Sequence, residues 1–158
     1  MDFDTVCEHL TSSPDSVLKM EQYILDSLKE NPKGEIYLFS FSPLRTFDFS
    51  SLDEEQKKEL VKNIIQEIKA SFKDKAKILG RHVLVVDMSR EDLEEKLVKL
   101  VKKLKEDFDI PLHIGVIRIT DKLSPSQIIL DLERCLFMSM CVPDQMLIDC
   151  LVRFCEDR

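Results

Sequence analysis

The side chains best able to do chemistry in this sequence are its cysteines and histidines, and their spacing matches no familiar site. The number of cysteines is odd, and no Cys-x-x-Cys pair occurs. The cysteines are Cys7, Cys135, Cys141, Cys150 and Cys155, and the histidines are His9, His82 and His113. Residues scattered in this way do not fit the ligand spacing of zinc sites. We therefore expect no metal or cofactor, and buried free thiols in a reducing, cytoplasmic compartment, with a redox or metal site as the alternative.

A polar turn between two apolar segments is the next candidate site. Residues 76–79 and 82–86 predict the two strands of a β-hairpin, and the second is a continuous apolar run typical of a central strand. Gly80 and Arg81 lie between them. They are predicted to form the turn, because glycine accepts the positive φ of a tight turn without steric cost. Arg81 and His82 therefore stand at the hairpin tip, where they either contact an anion or a partner or are simply solvated.

The periodicity of apolar residues predicts the elements around this hairpin. Helical spacing predicts five helices, over 14–31, from Ser51 or Asp53 to about Phe72, over about 90–108, from Ser124 or Ser126 to about Met140, and over about 144–156. β-rich runs predict two further strands over 35–42 and 111–119. The order gives a βαββαβ core, an α+β ferredoxin-like domain whose antiparallel sheet has helices packed on it, with N- and C-terminal flanking helices. A chain of 158 residues fits one domain, 1–158.

The charge balance bears on the classes of partner. The formal net charge is -7, which argues against nucleic acid and against an anionic membrane surface, because both attract clustered Lys and Arg. No apolar run approaches the length of a membrane span, and the acidic N-terminus does not resemble a signal peptide. We therefore expect a cytoplasmic protein with no nucleic-acid or membrane partner.

Five segments occur in an order and spacing that carry a family resemblance. They are Leu10-Thr11 with Pro14-Asp15, residues 38–45, residues 78–86, Ile114-Gly115-Val116, and residues 132–137. The third looks like a signature hairpin that reads R-x-G-G-D/E-E-F, and the last looks like a helix that reads A-D-x-A-L-Y. Together they resemble the GGDEF family, the diguanylate cyclases, over residues 8–140. The resemblance implies a nucleotide-cyclase-type fold, to which the helix over 144–156 is an addition.

The resemblance also implies which groups catalysis would need. A diguanylate cyclase joins two GTP molecules into cyclic di-GMP with the help of two divalent cations, which carboxylates hold. Ser40 stands where the family has its strand Asp, and His82 and Val83 stand at the acidic hairpin positions. A hydroxyl, an imidazole and a valine are poor replacements for carboxylates around Mg²⁺. The expected metal ligands are therefore missing.

The nucleotide-binding positions of the resemblance are altered as well. Arg81 replaces a glycine that lies against guanosine, and Met140 replaces a lysine near the phosphates. Asp48 replaces an Asn that reads guanine, and its carboxylate can still accept hydrogen bonds. Ser71 replaces the Arg of the R-x-x-D inhibition motif, whose Asp is kept at Asp74. The resemblance leaves binding of GTP or cyclic di-GMP open but argues against the family's binding mode.

These residues lead to one prediction and its alternatives. We predict a catalytically inactive GGDEF-like domain, not an enzyme, that regulates bacterial signalling by binding a protein or a nucleotide. The candidate ligand or partner residues are Gly80, Arg81, His82, Asp48 and Ser40. The alternatives are a structural homodimerisation domain and a residual nucleotide-dependent enzyme. An apolar stripe in the predicted last helix, with Met138 and Met140 before it, indicates either packing onto the domain or a partner face.

Overall fold

The computed structural model describes residues 14–31, 34–42, 52–79, 81–140 and 152–154. The helices in these ranges are α1 (Pro14–Glu30), α2 (Glu54–Phe72), α3 (Arg90–Phe108) and α4 (Pro125–Met140). The strands are β1 (Ile36–Ser42), β2 (Ala76–Leu79), β3 (His82–Val86), β4 (His113–Arg118) and β5 (Val152–Phe154). The predicted βαββαβ order is therefore confirmed from β1 to β4, and the whole is an α+β domain.

The strands form one sheet in the order β2-β3-β1-β4-β5. β1 pairs antiparallel with both β3 and β4, and β2 pairs antiparallel with β3, so the predicted hairpin and its antiparallel sheet are present. β1 is thus a central strand, and its neighbours β3 and β4 are the apolar runs that the sequence identified. This placement matters for the site, because residues of three strands meet side by side across the middle of the sheet.

The C-terminal helix predicted over 144–156 is wrong where the structure describes this segment. Residues Val152–Phe154 are a strand that pairs parallel with β4, with Ile114 opposite Val152. A short apolar run does not distinguish a helix from a buried strand, so periodicity alone was a weak guide here. A parallel strand needs a long crossover connection, and α4 lies in that connection between β4 and β5. The sheet is therefore mixed at this edge.

Helices cover both faces of the sheet because the side chains of β1 alternate. Tyr37, Phe39 and Phe41 join the larger apolar core with residues of α2 and α3. Ile36 and Leu38 join a second core with residues of α1 and α4. Helices α2 and α3, which connect the strands of the βαββαβ core, thus share one face of the sheet, as that core predicts, and α1 and α4 cover the other face. None of the helices in the described ranges is both long and apolar enough to cross a membrane.

Local signals fix where the crossover helices begin and end. Asp53 caps α2 in a reciprocal capping box with Gln56, and the Ser89 side chain accepts from the amide of Asp92 at the start of α3. Asp109 ends α3 in the left-handed conformation. Asp87 has a φ of 54° directly after the last residue of β3. These local contacts define the ends of α2 and α3.

Candidate functional site

The candidate site begins with a row of three residues across the centre of the sheet. Ser40 of β1 lies opposite His82 of β3 on one side and opposite Gly115 of β4 on the other. Ser40 is 0% exposed and His82 is 1% exposed. Ser40 is two residues from Leu38 in β1, and His82 is two residues from Leu84 in β3, so each lies on the same face of the sheet as that leucine. Both leucines belong to the second core, so Ser40 and His82 face α1 and α4. The structure thus brings together two of the predicted site residues, whereas Gly80 and Asp48 lie outside the described residues.

Helix α4 supplies a carboxylate to this row. His82 Nε2 donates to Glu133 Oε1 at 2.9 Å, and Arg81 Nη2 donates to Glu133 Oε2. Both carboxylate oxygens of Glu133 are therefore engaged by the hairpin. Arg81 and His82 were predicted to contact an anion or a partner or to be solvated, and the anion they contact is a side chain of the same domain. We call Arg81, His82 and Glu133 the hairpin clasp.

Sequence reasoning did not select Glu133 as a site residue. It lies 51 residues beyond His82, and only the fold brings α4 over the hairpin. The available signal was its position in an amphipathic helix, between Leu132 and Leu136, which are both buried. An acidic residue on the buried side of such a helix requires a partner, because a buried charge without one is costly.

Electrostatics favour the ionised form of Glu133. Burial raises the pKa of this carboxyl, but the hydrogen bond from His82 and the charge of Arg81 together lower the pKa by more than burial raises it. The net result is a pKa below the ordinary value for glutamate. The hairpin clasp is thus an anion held by two donors from the neighbouring strand and turn, and about a quarter of the Arg81 and Glu133 side chains remains exposed, at 26% and 29%.

A second polar contact between β4 and α4 involves His113 and Ser139. His113 is buried, and its Nδ1 donates to the carbonyl of Ser139 at 3.1 Å. Cys135 is buried, as expected for a thiol in an apolar helix. The other cysteines lie outside the described residues.

The hydroxyl of Ser40 is buried and makes no hydrogen bond to any residue that the structure describes. Removing a buried unsatisfied hydroxyl relieves a desolvation cost. We therefore expect Ser40→Ala to leave the free energy of unfolding unchanged or to raise it by about 0.5–1 kcal/mol, measured by urea denaturation.

Ser139→Ala is the matched control for that experiment. Ser139 is also fully buried, but its hydroxyl donates to the Leu136 carbonyl at 2.9 Å. This variant should lose about 0.5–1.5 kcal/mol. Equal losses in the two variants would mean that the Ser40 hydroxyl is bonded in solution.

Comparison with solved structures relates this arrangement to known proteins. The GGDEF domain of DgcB from Caulobacter crescentus, solved with c-di-GMP, matches with a TM-score of 0.65 over 86% of this chain and 85% of that chain, at 7% identity. A longer DgcB structure with its coiled coil, also in complex with c-di-GMP, matches with a TM-score of 0.66 over 87% of this chain and 77% of that one, at 8% identity. The chain has the fold of a GGDEF domain.

A third GGDEF structure agrees with this assignment. It is a microbial GGDEF domain studied for its interaction with cyclic di-GMP, and it matches with a TM-score of 0.59 and 11% identity over 87% of this chain and 86% of that chain. No protein-family model and no curated protein matches the sequence. The GGDEF assignment therefore concerns the fold.

The residues present do not fit the pair of divalent cations that a GGDEF cyclase would need. Ser40 offers a neutral hydroxyl, and both oxygens of Glu133 are bound to the hairpin. Val83 is 0% exposed and belongs to the larger core, on the opposite face from Ser40. Among the described residues, no three His, Cys, Asp or Glu side chains are grouped closely enough to hold a metal ion. The row across the sheet is thus suited to packing α4 onto the hairpin rather than to binding Mg²⁺.

The segment that resembles the inhibition motif lies at a groove between α2 and α3. The groove has a volume of about 550 Å³, and its lining includes Ser71 and Lys96. The backbone carbonyl of Ser71 accepts from Lys96 Nζ at 3.1 Å. Apart from Ala70, the remaining lining residues carry charges of both signs, among them Lys73, Asp92 and Glu95. Without an arginine at position 71, this groove lacks the bidentate donor that recognises guanine or phosphate.

Proposed function

We propose that this chain is a GGDEF-fold domain that does not cyclise GTP and that regulates bacterial signalling by binding a protein partner. The hairpin clasp is the observation that supports this proposal. Where a cyclase would need free carboxylates around two cations, this chain has a carboxylate bound to Arg81 and His82 beside the hydroxyl of Ser40. Transfer of a phosphoryl group depends on such cations to neutralise developing charge, so the proposed domain has no means to accelerate it.

A protein partner is favoured over a nucleotide by the charges at the hairpin. Arg81 is the cation at its tip, and the carboxylate of Glu133 already neutralises it. A nucleotide phosphate would have to compete with this carboxylate, which belongs to the same domain and is always at hand. A protein partner needs no such exchange, because it can bind to a surface elsewhere on the domain.

The test is direct. The purified chain, incubated with GTP and either Mg²⁺ or Mn²⁺, is expected to form no cyclic di-GMP above the level of a protein-free control, as measured by chromatography. Calorimetric titration with GTP, GDP and cyclic di-GMP is expected to show no saturable heat. Formation of cyclic di-GMP would refute the proposal outright. Saturable binding of a nucleotide without turnover would instead assign the domain to nucleotide sensing.

A further inference from the structure

The two helical layers of the domain differ in how much apolar surface they expose. All but one of the exposed large apolar side chains among the described residues belong to α1 and α4, which pack against each other on one face of the sheet. In α2 and α3 only Phe108 has this property. We call the residues of the first layer the α1–α4 patch, and they are Leu18, Leu25, Leu130, Phe137 and Met138.

The patch residues point away from the sheet on both helices. Leu18 and Leu25 are seven positions apart in α1, so they lie on one side of that helix. Leu130 and Phe137 have the same spacing in α4, and Met138 follows them. The opposite sides of the two helices meet in the second core. Two neighbouring helices therefore present their apolar outer sides together.

Helix α4 has the composition of an interface core. Three of its sixteen residues are charged, whereas twelve of nineteen are charged in α3. The exposed residues described in α4 are Ser126, Leu130, Arg134, Phe137 and Met138. Interface cores are enriched in aromatic residues, methionine and arginine and are depleted in lysine and glutamate. A helix whose outer side is always in water carries more charged residues there, as α3 does.

The charges of α4 are compensated within the same chain. Arg134 Nη1 lies 3.5 Å from Asp131 Oδ1, and both carboxylate oxygens of Glu133 are bound by Arg81 and His82. Helix α4 thus offers no uncompensated charge that would select an oppositely charged partner, and none that would repel an identical surface. This balance suits contact with a second copy of the domain.

The area of the α1–α4 patch matches what one copy contributes to a homodimer interface. Its five side chains expose roughly 570 Å² in total, if each offers about 200 Å² when fully exposed. A stable interface covers about 800 Å² on each partner, and about 65% of a homodimer interface is apolar, which makes about 520 Å². The side chains of α4 alone expose only about 350 Å² on the same basis. An interface of stable size must therefore use both helices.

We infer that the α1–α4 patch is the contact surface of a symmetric dimer, in which α1 of each copy packs against α4 of the other. A two-fold axis that runs along the two helices and between them brings all the patch residues into the contact. An axis across the helices would place α4 on α4 and bring two Arg134 side chains together, which disfavours that arrangement. The inference goes beyond the proposed function and does not depend on it, because the dimer leaves the α2–α3 layer accessible to another protein.

The first experiment measures the oligomeric state of the full chain. Sedimentation velocity at several concentrations is expected to show a reversible equilibrium between monomer and dimer. Phe137→Ser should raise the dissociation constant of the dimer at least tenfold, because large aromatic side chains contribute disproportionately to binding. Phe108→Ser is the matched control, since it removes an exposed phenylalanine from the other layer and should leave the dissociation constant within twofold of wild type. Circular dichroism checks that each variant is folded.

A pair of charged variants tests which helices face each other. Leu25→Lys and Phe137→Glu should each be monomeric alone, because both contacts of the symmetric dimer would then bury an unpaired charge. An equimolar mixture of the two variants should form a dimer. In that mixed dimer one contact pairs a lysine with a glutamate, and the other keeps Leu25 with Phe137. A mixture that stays monomeric would overturn the arrangement of α1 against α4.

The oligomeric state decides the inference as a whole. A monomer at every concentration, or a dimer that Phe137→Ser leaves intact, would overturn it. If a monomeric chain instead attaches to vesicles of phosphatidylcholine and phosphatidylglycerol, and Phe137→Ser abolishes the attachment, the patch is a membrane contact and the inference is wrong. Formation of cyclic di-GMP would refute the proposed function whatever the oligomeric state, whereas a monomer without turnover would refute only the dimer.

Discussion

Gly115→Ala is expected to lower the free energy of unfolding by about 2–4 kcal/mol. A Cβ atom at Gly115 would lie 2.5 Å from the backbone nitrogen of Leu136 and 2.9 Å from its Cα. Carbon atoms prefer contacts of about 3.5–4.0 Å, and a helix backbone cannot rotate away as a side chain can. The added methyl must therefore push α4 off the sheet, and urea denaturation measures the cost.

Gly34→Ala provides the control for this prediction. A Cβ there would lie 3.1 Å from the Cβ of Asn31, a side-chain atom outside the centre of the sheet. This variant is expected to change stability by less than about 1 kcal/mol. A loss for Gly115→Ala no larger than the loss for Gly34→Ala would show that α4 does not rest on β4 as closely as the structure has it.

Glu133→Ala is expected to cost about 2–4 kcal/mol, because it removes the shared acceptor of the hairpin clasp. Arg81 and the buried His82 would then lose their common partner, and the hairpin would lose its polar attachment to α4. The upper end of the range for a buried ion pair is not expected, since water reaches part of Arg81 and Glu133. Thermal or urea unfolding at neutral pH measures this change.

Glu95→Ala removes a glutamate of similar type from the surface of α3. Its carboxylate pairs with Lys99 at 2.9 Å, but both side chains are largely exposed. We expect this variant to lose far less stability than Glu133→Ala, because water screens an exposed ion pair. If the two substitutions had equal effects, the hairpin clasp would be no more than another surface ion pair.

The pH dependence of stability distinguishes a charged clasp from a neutral hydrogen bond. The pKa of Glu133 is depressed in the folded state, so its contribution is fully present above the pKa of an unfolded glutamate, about 4.3. That contribution is lost as the pH falls through the lower folded-state pKa. The stability difference between the wild type and Glu133→Gln should therefore shrink as the pH is lowered from 7 toward 3. A difference that stays constant over this range would contradict an ionised Glu133.

Local patterns in the sequence were enough to define most of the fold. Asp53 and Ser89 begin their helices because a short polar side chain at that point satisfies free backbone amides, a purely local effect. The alternation in β1 and the apolar runs of β3 and β4 depend only on which side chains must be buried. These signals gave the order of elements from α1 to α4, and the resemblance to GGDEF domains agrees with the fold that the comparison found.

The secondary structure of the C-terminal segment could not be predicted from local sequence patterns. Val152–Phe154 is a strand because the edge of β4 is available to pair with it, and that edge exists only after the sheet has formed. An apolar segment of this length suits a helix or a strand equally well when it is considered alone. The outcome depended on a tertiary partner, which periodicity does not contain.

The residue types at the candidate site could be named from the sequence, but their relations could not. Ser40 and His82 were identified as replacements for metal-binding carboxylates, and the strand register places them side by side. The sequence did not indicate that Glu133 neutralises the hairpin, because Arg81 and Glu133 are 52 positions apart and only the packing of α4 joins them. Hydrogen bonding between distant side chains is decided by the geometry of the folded chain. The sequence thus predicted which metal-binding carboxylates are replaced, and the tertiary structure decided which side chains lie beside their replacements.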